Sequence, residues 1–214
     1  MGFVIAVDGP AASGKGTIAQ GLARCYGYPA LDTGLLYRAV GWTVRQAGQD
    51  LDDEFAAMAA ARGLEPDQLD NPQLRDRAAG EAASRVAVHL GVRGALLAFQ
   101  RDFAAREPGA VIDGRDIGTV IAPDAPAKLF VTARPEIRAD RRWRQLVAQG
   151  ETVSLDEVLA DIHRRDERDS GRAAAPLIAA PDAVLLDTSE MTIDNAADAA
   201  RRIVEAARAR WAAS

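Results

Sequence analysis

Apolar positions along the chain alternate between short continuous runs and longer stretches with helical spacing. Runs rich in β-branched residues predict strands that are covered on both faces, as in parallel sheets. These runs lie at 3–8, 110–113, 127–133 and 183–188, and a brief extended segment is predicted at 29–31.

The stretches between these runs carry the spacing, caps and stop signals of helices. Asp32 and Ser154 are suitable N-caps, Pro135 suits a first helical position, and Gly27 is a stop signal. Helices are predicted at 15–27, 32–48, 92–106, 135–150, 154–169 and from about 193 onward, with short helices within 51–88.

Strands that alternate with helices in this way predict an α/β fold with a parallel sheet and helices on both faces. The chain has 214 residues, which suits one compact domain with a small insertion or lid. Alanine supplies much of the apolar content while aromatic residues are only 5%, so we expect tightly packed helices.

Composition and charge exclude several classes of protein. The net charge of −5 argues against a protein that coats nucleic acid. No apolar segment approaches the roughly 20 residues of a membrane span, and the N-terminal apolar run is too short for a secretory signal. We therefore expect a cytoplasmic protein without membrane or nucleic-acid partners.

Histidine and cysteine, the side chains that most often bind zinc, are scarce. His89 and His163 lie far apart without cysteine partners, so no protein-ligated metal site is expected. Cys25 is the only cysteine, and its place in the apolar pattern with Ile18 and Leu22 predicts a buried or half-buried side chain.

The sequence GPAASGKGT follows the first predicted strand directly and precedes a helix. A Gly-x-x-x-x-Gly-Lys loop in this position cradles phosphates with successive backbone N–H groups and the positive end of the helix dipole. Only two of the 26 basic residues are lysine, and one of them is Lys15 in this loop. The predicted nucleotide-binding residues are Gly9, Pro10, Ala11, Ala12, Ser13, Gly14, Lys15, Gly16 and Thr17.

The general phosphate-loop motif has serine or threonine directly after lysine, whereas this chain has Gly16 and then Thr17. Gly-Lys-Gly-Thr resembles the nucleoside monophosphate kinases. This resemblance implies that ATP binds with Mg²⁺ held mainly by phosphates and water.

Three further motifs resemble the bacterial cytidylate kinases in order and spacing: LDTGLLYR (31–38), IDGRDIGTVIAPDAP (112–126) and RRDERDSGRAAAPL (164–177). The resemblance covers nearly the whole chain. It implies a P-loop NTPase-type sheet and an enzyme that phosphorylates CMP and dCMP with ATP by direct in-line transfer, in pyrimidine nucleotide metabolism. We expect a monomer, although the sequence itself does not give the oligomeric state.

The resemblance also implies a role for individual residues. Arg38, Arg115 and Arg172 match the acceptor-phosphate site, while Ser84, Arg93 and Asp116 match the base-recognition positions. Asp169 would accept from ribose hydroxyls, and Arg138, Arg141, Arg142 and Arg165 are candidates to clamp the donor phosphates. The predicted catalytic residues are Lys15, Arg115, Arg141 and Arg165, and Thr33 and Tyr37 complete the predicted substrate site.

The family pattern divides the single kinase domain into a core (1–49, 90–133 and 173–214), a monophosphate-binding insert (about 50–89) and a lid region (about 134–172). Longer family members carry a small β-sheet in the insert, whereas this chain has a short segment of helical pattern there. The adenine pocket is expected near residues 188–193.

Other readings stay open on the residues alone. Ser84, Arg93 and Arg38 would pass for helix-surface residues, and Arg115 for part of a polar turn. A regulatory GTPase would need an Asn-Lys-x-Asp element, which the sequence lacks. A non-catalytic nucleotide-binding module would not need arginines at several loop and helix ends. Among kinases, UMP or AMP specificity is the nearer alternative.

Overall fold

The computed structural model describes residues 2–213 and confirms the parallel sheet with flanking helices. Its strands are ordered β2-β3-β1-β4-β5, and all neighbours are parallel. The strands are β1 (Phe3–Asp8), β2 (Ala30–Asp32), β3 (Gly109–Gly114), β4 (Ala127–Thr132) and β5 (Val184–Asp187).

The helices follow the predicted pattern, with ends displaced by a few residues. Asp32 caps α2 by accepting from the Gly34 amide at 2.8 Å, and Ser154 forms a capping box with Glu157 at the start of α7. The helices are α1 (Lys15–Tyr26), α2 (Thr33–Gln46), α3 (Glu54–Arg62), α4 (Arg77–Val86), α5 (Leu90–Ala104), α6 (Pro135–Ala148), α7 (Leu155–Ser170) and α8 (Ile193–Trp211).

Alternate residues of the central strands are buried on opposite faces of the sheet. Ile5 and Val7 of β1 pack with α1 and α8, whereas Val4 and Ala6 pack on the other face with the end of α5. A third apolar cluster joins α2, α3, α4 and α5, and a fourth joins α6 to α7. The sheet is therefore covered on both sides, as a parallel sheet requires.

Residues 50–89 contain α3, α4 and two 3₁₀ segments, Pro66–Asp70 and Pro72–Arg75, and no strand is described there. Small residues let this segment approach the core closely, since a methyl group at Gly41 on α2 would lie 2.7 Å from the Cβ atom of Ala82 on α4. The predicted helical character of this segment is confirmed.

Cys25 is a correction, because the structure leaves it exposed. The buried side of α1 is formed by Ile18, Ala19, Leu22 and Ala23. Ala23, one turn after Ala19, continues the buried stripe, so Cys25 falls on the solvent side of the helix.

Within residues 2–213, no single helix combines the length and apolarity that a membrane crossing requires. Helices α4 and α5, bent by 102° at their junction, meet that test only as a pair, on length and composition alone.

Candidate active site

A cavity of about 700 Å³ lies at the carboxyl edge of the sheet. The register places Asp8 of β1 beside Gly114 of β3, and Asp32 of β2 beside Asp113, so the loops after these strands meet there. The predicted site residues line the cavity, except Gly9, Pro10 and Arg138, which stay outside its lining in the described chain.

The loop from Gly9 to Thr17, called the phosphate loop below, is held in a conformation that requires glycine at two points. Gly9 has φ 151°, and a Cβ atom there would lie 2.0 Å from the Val131 carbonyl oxygen. Gly14 has φ 90° and caps α1. Ala12 also adopts a left-handed φ of 59°, which is strain of the kind found at functional sites.

Lys15 begins α1, and its Nζ atom donates to the Pro10 carbonyl at 3.2 Å. Among residues 2–213 it forms no ion pair with a carboxylate. Burial and the neighbouring Arg115 lower the pKa of the ammonium, although Asp113 and Asp32 act in the opposite direction. A bound polyphosphate would supply a negatively charged partner for the Lys15 ammonium.

Arg115 and Arg172 meet on one carboxylate at the other end of the cavity. Arg115 Nε donates to Asp169 Oδ2 at 2.8 Å, and Arg172 Nη2 lies 3.1 Å from Asp169 Oδ1. Burial alone would raise the pKa of Asp169, but the two guanidinium groups outweigh it and lower the pKa. This carboxylate is therefore charged and fixed in position.

Arg93 and Asp116 form a second buried ion pair, between Arg93 Nη2 and Asp116 Oδ2. Burial raises the pKa of Asp116, and Arg93 opposes that rise. The Arg93 guanidinium also lies 5.8 Å from the centre of the Tyr37 ring. Asp116 thus reaches the cavity with one oxygen already accepting from Arg93.

Arg38 and Thr33 of the predicted substrate site are held by backbone carbonyl groups. Arg38 Nη1 donates to the Leu74 carbonyl at 2.8 Å, and Thr33 Oγ1 donates to the Asp113 carbonyl at 2.9 Å. Burial lowers the pKa of Arg38. Ser84 of α4 is buried and lines the cavity. From the sequence alone it would pass for a helix-surface residue.

Arg165 on α7 is buried in the wall of the cavity. Its Nε atom is buried without a hydrogen-bond partner among the described residues. Burial, together with Arg115 and Arg38, lowers its pKa to about 10. Gly80 of α4 makes room for it, since a methyl group there would lie 3.3 Å from Arg165 Nη1.

Of the other predicted phosphate clamps, two line the cavity and one does not. Arg141 donates to the Thr188 hydroxyl at 3.0 Å and to its carbonyl at 2.7 Å, while Arg142 contacts Gln145. Arg138 is a correction, because it is buried outside the described lining. It pairs with Asp166 and donates to the Ala11 carbonyl, so its fork is already occupied by the protein.

Asp8, which the sequence analysis did not single out, supports the chain next to the site without being part of the described cavity lining. Its two carboxylate oxygens accept from the amides of Ile117 and Gly118, both at 2.8 Å, at the start of a π-helix that follows Asp116 directly. A polar turn was expected at this point. The position of Asp8 at the carboxyl end of β1, next to the phosphate loop, was the available signal.

Asp32 and Asp113 also line the cavity beside Lys15, although neither was predicted to. Burial and Asp32 raise the pKa of Asp113, and Lys15 opposes that rise. Near the predicted adenine pocket, the lining is formed by Thr188, Met191, Thr192, Ile193, Ala196 and Ala197.

Known proteins match this chain over nearly its whole length. The cytidylate kinase family model matches residues 5–206. The chain is 72% identical over 211 residues to a cytidylate kinase of Caulobacter sp. strain K31, covering 99% of this chain and 98% of that protein. It is 63% identical to a cytidylate kinase of Xanthobacter autotrophicus strain Py2, covering 97% and 99%.

A solved structure of an uncharacterized protein from Eubacterium ventriosum is similar in fold, with a TM-score of 0.53. It is 16% identical and covers 95% of this chain and 98% of its own, so the likeness concerns the fold alone. The family assignment depends on the closer sequence relatives and on the full-length family match. The chain belongs to the cytidylate kinase family.

Proposed function

We propose that this chain transfers the γ-phosphoryl group of ATP to CMP and dCMP, forming CDP and dCDP by direct in-line transfer. One observation carries the proposal: a single cavity joins the phosphate loop to a set of buried arginine–carboxylate pairs. A nucleotide switch needs only the first of these parts, whereas a kinase for monophosphates needs both.

At the donor end, the phosphate-loop amides and the start of α1 would bind the ATP phosphates, and Lys15 would lie against them. Arg141 would help to hold the donor beside Thr188, with adenine near residues 188–193. Asp32 and Asp113 offer oxygen acceptors suited to the water shell of Mg²⁺. The ion itself would be held mainly by phosphates and water.

At the acceptor end, Arg38, Arg115 and Arg172 would bind the CMP phosphate, and Asp169 would accept from the ribose hydroxyls. Ser84, Arg93 and Asp116 would read the cytosine edge, which offers an amino donor and two acceptors. Arg93 and Asp116 supply a donor and an acceptor in one fixed pair. Thr33 and Tyr37 would complete this wall of the cavity.

The acceptor phosphate is already an anion near neutral pH, so the reaction needs no general base. The protein's task is to bring two polyanions together, to exclude water and to neutralise charge on the transferred group. Lys15, Arg115 and Arg165 influence one another electrostatically, which supports their joint action at the junction of the two ends. Mg²⁺, when bound, would add further neutralisation of the phosphate charge.

The proposed organisation is one kinase domain with a core (1–49, 90–133 and 173–214), an insert (about 50–89) and a lid region (about 134–172). Helix α7 of the proposed lid carries Arg165 and Asp169 into the cavity. A monomeric state, a cytoplasmic location and a role in pyrimidine nucleotide metabolism stay predictions from the sequence.

The proposal is tested by incubating the protein with ATP and each of a panel of nucleoside monophosphates and measuring the release of ADP. CMP and dCMP should be phosphorylated with the highest kcat/KM, and UMP and AMP with clearly lower values. A protein that hydrolyses ATP without transfer, or that prefers UMP or AMP, would contradict the proposed reaction or its specificity.

A further inference from the structure

Helices α4 and α7 are joined by an arginine that the proposed reaction does not use. Arg168 of α7 donates from Nη1 to Ser84 Oγ and from Nη2 to Glu81 Oε1, both at 2.8 Å. Ser84 and Glu81 are three residues apart on α4, so they lie on the same side of that helix. One guanidinium group therefore bridges two neighbouring positions of α4.

Arg168 meets the cavity only through Ser84. Ser84 lines the cavity and is 6% exposed, whereas Arg168 is not part of the lining within residues 2–213. A guanidinium group can only donate, so Ser84 Oγ must accept in this bond, and its proton is directed away from Arg168. The hydroxyl, which otherwise rotates freely, is left with one proton and one lone pair for other partners.

We propose that Arg168 is a positioning residue for the acceptor nucleoside, which acts by fixing the Ser84 hydroxyl. The inference rests on the proposed function, because it requires that Ser84 contacts the acceptor base. A hydroxyl already held in one orientation loses less entropy when the base binds. Loss of Arg168 should therefore weaken acceptor binding more than it slows the transfer step.

A second ion pair between the same helices provides a matched control. Arg77 of α4 donates from Nε to Asp161 Oδ2 of α7 at 2.5 Å, and it lies outside the described cavity lining. Arg77→Met removes a connection between α4 and α7 without touching Ser84. Any effect that Arg168 has merely by attaching the two helices should also appear in Arg77→Met.

The experiment is a double-mutant cycle with Ser84→Ala, Arg168→Met and the combined variant. The readouts are KM and kcat for CMP at saturating ATP, with thermal unfolding to establish that each variant folds. Arg168→Met should raise the KM for CMP roughly three- to tenfold, as expected for one hydrogen bond, with kcat within about twofold. In the Ser84→Ala background it should add almost nothing, because the group it positions is gone.

Arg168→Lys, which can still donate to Ser84, should recover part of the loss, and Arg77→Met should leave the KM for CMP within about twofold. An equal effect of Arg168→Met in both backgrounds, or an equal effect of Arg77→Met, would overturn the inference. If Ser84→Ala leaves the KM unchanged, the proposed base contact fails and the inference fails with it. If Ser84→Ala raises the KM but Arg168→Met does not, the inference alone fails.

Discussion

The two ends of the cavity are constructed differently. The phosphate loop offers backbone amides and Lys15, whereas the acceptor end offers Asp169 and Asp116, each already in an ion pair with arginine. Lys15 and Arg165 form no ion pair with a carboxylate among residues 2–213, and the pKa of each is lowered by burial and neighbouring cations. Arg38 and Arg142 of the cavity share both properties. The name unpaired cations is used below for Lys15 and Arg165 alone.

This difference implies a division of labour. A buried cation without a partner is destabilised until an anion arrives, so the unpaired cations should act on charge that the phosphates bring and redistribute. The carboxylates of the ion pairs, Asp116 and Asp169, have fixed orientations and little net charge to offer, so they should recognise the nucleoside in the ground state. Changes at the unpaired cations should then mainly lower kcat, and changes at the paired carboxylates should mainly alter KM or selectivity.

The largest effect is expected for Lys15→Ala. In the proposed reaction its ammonium would act on charge that moves during transfer, so kcat should fall by about 10³ or more while the fold stays intact. Steady-state turnover and circular dichroism measure both. Near-normal kcat in the folded variant would contradict the assignment of Gly9 to Thr17 as a phosphate-binding loop. Lys15→Arg should not restore full activity, because a planar guanidinium group replaces a compact ammonium.

Arg165→Met should give the next largest loss, on the order of 10² in kcat, as expected for removal of one preorganised donor. The matched control is Arg164→Met at the neighbouring position, whose exposed side chain pairs with Asp161. The control should keep wild-type turnover. Equal losses in the two variants would mean that α7 was perturbed as a whole and that Arg165 has no special role.

Asp116→Asn tests the paired groups through selectivity. Uracil presents a carbonyl where cytosine presents an amino group, so Asp116 would face an acceptor and lose a partner at a cost of about 1–3 kcal/mol. Wild-type kcat/KM should therefore favour CMP over UMP by roughly ten- to a hundredfold. The variant should narrow that ratio because an amide can donate, and an unchanged ratio would exclude Asp116 from base recognition.

Asp169→Ala should raise the KM for both CMP and dCMP, by roughly tenfold, because a charged partner for hydroxyl groups is lost. The KM for ATP should move little. The structure adds one expectation, since Arg115 and Arg172 lose their shared carboxylate and kcat should also fall. Unchanged KM values for both acceptors would show that Asp169 serves only the two arginines.

The pH dependence of folding distinguishes Asp8 from Asp169, the paired carboxylate whose pKa is lowered. Burial raises the pKa of Asp8 to about 6, although the amides of Gly118 and Ile117 oppose the rise. The folded state thus retains a proton that the unfolded state has released between about pH 4 and 6. This group's contribution to stability should fall across that window as pH rises, by up to about 3 kcal/mol.

Denaturant unfolding of wild type and Asp8→Asn at several pH values measures this contribution. The stability difference between the two should change with pH in favour of the variant as Asp8 ionises. A difference that is constant between pH 4 and 6 would contradict the raised pKa.

The phosphate loop was predictable because its signal is local. A buried strand, a glycine-rich turn and a helix start are consecutive in sequence, and Gly9, Gly14 and Lys15 follow from the physics of that turn. The alternation of strands and helices was predictable for the same reason. The buried side of α1 was harder to predict. The apolar pattern is compatible with a buried Cys25, but in the structure Ala23 is buried and Cys25 is exposed.

The ion pairs were beyond sequence reasoning because they join distant positions. Arg115 pairs with Asp169, which is 54 residues away in the sequence. Asp8 accepts from the amide of Ile117 at the start of the π-helix, and these two residues are 109 positions apart. Arg138 on α6 and Arg165 on α7 belong to the same arginine-rich stretch of sequence. Arg138 pairs with Asp166, whereas the Nε atom of Arg165 is buried without a hydrogen-bond partner among the described residues. Residue type alone does not separate them.

The most direct test of this division of labour is CMP binding to Lys15→Ala, measured by isothermal titration calorimetry in parallel with turnover. We predict that the Kd for CMP stays within a few-fold of wild type while turnover falls by about 10³ or more, because the acceptor end is held by its own ion pairs. Loss of CMP binding together with turnover, or turnover that survives the substitution, would contradict it.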